Sequence, residues 1–107
     1  MTPERLAEII TRFNDCDAEP WTTAMLPGAA GLARVVRGAD GHVVAVMGTA
    51  GAESVERNAA FVAMAPAAVR ELLTELDRLK YALHQAQKRA TIAEITAQQA
   101  LQSRTVH

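Results

Sequence analysis

The sequence predicts an α+β protein: a short N-terminal helix, a β-hairpin or three-stranded antiparallel meander, a short helix, then a long C-terminal coiled-coil helix. Three observations carry that expectation. Apolar residues near the N-terminus recur at helical spacing, and β-branched runs in the middle flank an Asp-Gly pair. The last third repeats Leu or Ala at alternating intervals of four and three. The expected division is a small α+β domain over 1–65 and a long helix over 66–104, whose first half packs on the domain and whose second half projects for oligomerisation.

The first helix is expected from Thr2 to about Phe13. Thr2 suits the N-cap, Pro3 the first helical position, and Glu4 the positive end of the helix. Leu6, Ile9, Ile10 and Phe13 then form one apolar stripe, which Asn14-Asp15-Cys16-Asp17 ends. Two strands follow, Leu32–Arg37 and His42–Met47, around Gly38-Ala39-Asp40-Gly41. A two-residue turn and a three-residue turn with a glycine bulge both fit, and they differ in register by one. A third strand, Trp21–Leu26, is expected to precede them across a Pro27-Gly28 turn, since a lone hairpin is marginal in water. Ser54 is the expected cap of a short helix reaching Ala65, which Pro66 ends or kinks.

From Pro66 to about Ser103 there is no glycine and no further proline. Leu72, Leu76, Leu79, Leu83, Ala86, Ala90, Ala93, Ala97 and Ala100 make a continuous heptad seam. Such a helix reaches about 55 Å at 1.5 Å per residue, beyond the ~25–30 Å of a globule of this size. Leu73 and Val69 widen the seam in its first half, and alanine narrows it in the second. Antiparallel pairing of two copies sets Leu against Ala, so a homodimer of that polarity is favoured. Ile92 and Ile95 lie off the seam and are candidates for a second contact, in a higher oligomer or with a partner protein.

Composition agrees with assembly. The 107 residues are 50% hydrophobic but only 4% aromatic, and about a fifth are alanine. Chains so poor in large side chains build thin cores. The net charge of −1 disfavours a strongly basic polyanion binder. The balance is uneven, however. Residues 1–65 carry 5 Lys+Arg against 8 Asp+Glu, and residues 66–107 carry 6 against 4. Arg78, Lys80, Tyr81, His84, Lys88 and Arg89 give the long helix a mildly basic side, the basis of a secondary expectation of nucleic-acid contact. One cysteine excludes an internal disulfide framework, and no run is long enough for a membrane span. Met1-Thr2-Pro3-Glu4-Arg5 lacks the layout of a signal peptide, so a cytoplasmic location is expected.

Candidate chemistry is sparse. Asp15, Asp17 and Glu19 alternate as in a calcium loop, but Pro20 stands where the sharp glycine belongs and Leu26 where the bidentate glutamate belongs. His42, His84 and His107 have no metal-ligand spacing. Cys16 lies among acids that are expected to keep its thiol protonated. Gly48-Thr49-Ala50-Gly51 lacks the lysine of a phosphate loop and reads as a strand-to-helix connection. No catalytic, cofactor or metal residue is therefore expected, and an enzyme site assembled across a dimer is the weakest of three functional classes.

The stretch Asn58-Ala59-Ala60-Phe61-Val62-Ala63-Met64-Ala65-Pro66-Ala67-Ala68-Val69, followed by Leu72-Leu73-Thr74-Glu75-Leu76-Asp77-Arg78-Leu79, resembles small bacteriophage accessory proteins. In these an N-A-x-F-[I/V]-A helix leads through proline into a leucine-rich helix. Trp21 and Asp40-Gly41 are similar to features that recur there, and the likeness covers roughly half the chain. The resemblance implies phage or prophage origin and brings no catalytic residues. It implies action in the host cytoplasm by binding and modulating or inhibiting a host protein complex, for example a defence system such as CRISPR.

Overall fold

The computed structural model describes residues 1–105, in the order α1 (Pro3–Asp15), β1 (Thr22–Gly28), β2 (Gly31–Arg37), β3 (Val43–Thr49) and α2 (Glu53–Thr105). It is an α+β fold of a short helix, a three-stranded antiparallel sheet and a long C-terminal helix. Two compact units divide the chain, one from Met1 to Glu71 and one from Leu72 onward.

Helix α1 starts as its sequence dictates. The Thr2 side chain accepts a hydrogen bond from the Arg5 N–H at 3.1 Å, and Pro3 opens the helix. At the other end Cys16 caps the last turn, its N–H and thiol both directed at the Phe13 carbonyl. Leu6, Ile9 and Phe13 are half-buried, while Ile10 stays exposed.

The sheet has the order β1-β2-β3, with β2 central. The first turn is not at Pro27-Gly28. Strand β1 continues through both residues, Gly28 pairs with Gly31, and Ala29-Ala30 make the turn. Pro27 is tolerated because β1 is an edge strand, where one side needs no donor. At the second hairpin the three-residue loop is adopted. The Gly38 N–H donates to the His42 carbonyl at 2.9 Å, enclosing Ala39, Asp40 and Gly41. Gly41, at φ +85°, takes the left-handed position such a loop requires. Two register shifts between β2 and β3 leave Val44 and Met47 unpaired on β3.

Val35 and Val36 sit on this central strand at 2% and 0% exposure. Consecutive strand residues point to opposite faces, so both faces are closed at this point. Ala59 of α2 is the third fully buried apolar residue. Helix α2 comes close to β3: a Cβ on Gly48 would lie 3.0 Å from a Val55 methyl, and Gly48 has φ +133°. Arg34 and Glu56 form an ion pair at 2.8 Å, and Arg70 pairs with Glu19 at 3.2 Å.

The expected short helix over Ser54–Ala65 is not a separate element. It is the beginning of α2, which runs unbroken through Pro66. Proline removes the hydrogen bond to the Val62 carbonyl, at a cost of about 3 kcal/mol in a helix interior. Alanine-rich flanks favour the helix on both sides, and Pro66 is buried in a groove shared with Ile9 and Phe13 of α1. Tertiary cover therefore outweighs the local penalty. Nor is Ser54 the cap, because the helix begins at Glu53. Glu56 instead reaches back to accept from the Gly51 N–H at 2.7 Å.

Glu56 thus serves two donors. Its carboxyl is held below the ordinary range, first by the Gly51 N–H and then by Arg34. A lowered pKa contributes stability at neutral pH that is lost as the pH falls through it. Glu56→Gln keeps an oxygen for Gly51 and is expected to lower the melting temperature less than Glu56→Ala. Both variants should lose part of the acid sensitivity between pH 5 and 3, as read by thermal melts across that range.

Candidate interaction surface

Ala65 and Val69 are the N-terminal continuation of the seam, by the same spacings of four and three. In the first unit they are half-buried and line a groove with Ile9 and Phe13 of α1. From Leu72 onward the same positions are open. Leu72, Leu79 and Leu83 are 68%, 50% and 59% exposed, and Leu76 is half-buried. Ala86, Ala90, Ala93, Ala97 and Ala100 are all exposed. The residues expected to form an oligomer seam therefore share one line on α2, and all of them but Leu76 are exposed.

Two further leucines flank that line. Leu73 adjoins Leu72 and is half-buried; Leu101 adjoins Ala100 and is 60% exposed. Leu101 falls outside the strict repeat of four and three, although its place at the rim of a heptad is a signal present in the sequence. Ile92 and Ile95, at 57% and 49% exposure, lie away from the seam. Tyr81, 68% exposed, lies on the same side, as does Lys88: at 100° per residue the four fall within about 60° of arc.

The basic candidates are exposed along α2, but they are not equivalent. Arg78 is tied to Glu75 by a two-armed contact, with Nε donating to Oε2 at 2.9 Å. Glu75 is held below its ordinary range by that hydrogen bond. Lys80, His84, Lys88 and Arg89 stand in a span, 78–93, that contains no Asp or Glu.

The chemical candidates are dispersed. Glu19 is engaged with Arg70, and Asp17 uses its carbonyl to accept from the Trp21 indole at 3.0 Å. His107 lies outside the described residues. Among the described residues no group of three or more His, Cys, Asp or Glu is placed to hold a metal ion. Among them also, no helix is long and apolar enough to cross a membrane.

His42 meets Asp40 within the hairpin loop, Nδ1 to Oδ2 at 2.7 Å. The shared hydrogen bond raises His42 and lowers Asp40 from their ordinary values. The raised histidine contributes below its unfolded pKa, and the lowered aspartate above its own, so the pair is complete between about pH 4 and 6.5. Both groups are exposed and the effect on overall stability is small. His42→Ala should speed amide exchange at positions 41 and 42 at pH 5.5 and leave it nearly unchanged at pH 8.5.

No protein-family model matches the chain, and no curated protein or solved structure gives a match to it.

Proposed function

We propose that this chain is a non-enzymatic, self-associating binding protein of phage type, which acts in the host cytoplasm on a host protein complex. One observation carries the reading: α2 leaves a heptad line of leucine and alanine exposed at every position but Leu76 from Leu72 to Ala100, while the buried core holds Val35, Val36 and Ala59. Exposed apolar area of that kind marks interaction surfaces. The phage assignment and the host target rest on the resemblance of the 58–79 region.

Light scattering on the full chain and on a version truncated after Leu83 tests self-association. The full chain should give at least twice its 11.5 kDa mass, and the truncated one should not. Ile92→Lys/Ile95→Lys should leave a dimer intact and lower the mass only if a higher oligomer forms. Affinity capture from host lysate should then recover one defined complex, and should lose it with the same double variant if these residues are the partner contact.

The acid-free span 78–93 supports a second reading, a nucleic-acid-binding accessory or regulatory protein using Arg78, Lys80, Tyr81, Lys88 and Arg89. Retardation of duplex DNA or RNA at low salt, falling steeply as salt rises, is its signature.

A further inference from the structure

We infer that the face of α2 from Leu72 to Leu101 is covered by a second copy in an antiparallel register centred near Gln87, set by Lys80 against Glu94 and Leu73 against Leu101. The inference rests on the self-association reading and assigns its partner and alignment.

Three independent features meet in that register. The seam pairs Leu76 with Ala100, Leu79 with Ala97 and Leu83 with Ala93, and closes on Ala86 with Ala90. Leu76, Leu79 and Leu83 then each face an alanine, and the helix separation stays uniform over those layers. Lys80 and Glu94 flank the seam on the same side at equal distances from Gln87, so each meets its opposite charge in the partner, twice in the dimer. Both side chains are exposed, which leaves them accessible to a partner. Leu73 and Leu101 are also equidistant from Gln87 and close the two ends with an apolar pair. That pairing covers Leu101, which is 60% exposed in the single chain.

The parallel alignment is the physical competitor. It sets Arg89 against Glu94, and it sets Lys80 against Glu75, which Arg78 of its own helix already holds. It also stacks alanine on alanine through five layers and leaves Leu101 facing Thr96. Five alanine layers cannot keep the spacing that four leucine layers impose, so voids open along half of the contact. A shift of the antiparallel register by one heptad keeps leucine against alanine, but it turns Lys80 to Gln87 and Leu73 to Glu94. Charge and rim together select the register centred near Gln87.

Charge reversal separates the alignments. In sedimentation equilibrium, Lys80→Glu alone and Glu94→Lys alone should each weaken the dimer about ten-fold, because an attraction becomes a repulsion at two symmetric places. The combined Lys80→Glu/Glu94→Lys chain should return to within about two-fold of the parent. In the parallel alignment the combined chain faces Glu75 and Arg89 with like charges and stays weak, which would overturn the register. Cysteine cross-linking in a Cys16→Ser background gives an independent reading. Leu83→Cys mixed with Ala93→Cys should form a disulfide-linked dimer, and neither variant should do so alone. Linking by either variant alone removes the antiparallel assignment and leaves self-association standing. A parent chain that stays monomeric at 100 μM removes both.

Discussion

Val36→Asp is expected to unfold the Met1–Glu71 unit at room temperature. Val36 has no exposed surface and sits on the central strand, between Thr23 of β1 and Ala45 of β3. A carboxylate at this fully enclosed position loses its hydration, and burying a charge in an apolar setting costs about 4 kcal/mol or more. A unit of about 70 residues has only ~4–10 kcal/mol of total stability. With a fully buried core of little more than Val35, Val36 and Ala59 among the described residues, this one belongs at the low end. Val36→Ala calibrates the effect: two lost methyl groups plus a residual cavity should cost about 2 kcal/mol. Trp21 is the only tryptophan, and its indole is bonded within this unit. Its fluorescence therefore follows the unit while α2 continues to dominate the helical circular dichroism. A native Trp21 signal in Val36→Asp up to 50 °C would mean that the sheet is not what holds the unit together.

How much of this was legible in the sequence differs by element, and the differences have physical causes. The start of α1 and the long stripe of α2 could be read because cap chemistry and helical period act within a few residues. The hairpin around Asp40-Gly41 could be read too, with both loop lengths open. Its closure by Gly38 and His42 depends on pairing of the flanking strands, which no dipeptide specifies. Ala29-Ala30 carries no turn signal, so the first turn was placed two residues early, on Pro27-Gly28. Pro66 misled for the opposite reason: its local penalty is real, but burial beside α1 overrides it. Arg34 with Glu56 and Arg70 with Glu19 join residues far apart in the chain, and only the fold makes them neighbours. The candidate surface was the most legible part, because a heptad line is a property of one helix. Tyr81 stands among cations in the sequence, and helical geometry sets it beside Lys88 as well as Ile92 and Ile95, which sequence neighbours alone do not reveal.

Leu79→Lys/Leu83→Lys should turn the self-associated chain into a monomer without disturbing the first unit. Both leucines are at least half exposed in the single chain, so the substitutions cost it little. In the assembled form each would be buried against an alanine of the partner. Full burial of a leucine is worth about 1.5–3 kcal/mol, and four leucines change in a dimer. Allowing for incomplete burial, a loss of about 4–6 kcal/mol follows, a thousand-fold or greater rise in the dissociation constant. The four added charges act in the same direction. Concentration-dependent mass should fall to the monomer value, and the Trp21 melting curve should overlay that of the parent. A lowered Trp21 midpoint would instead place these leucines in the packing of the Met1–Glu71 unit. An unchanged mass together with an unchanged midpoint would show that self-association uses a different face, with Tyr81, Ile92 and Ile95 the next to substitute.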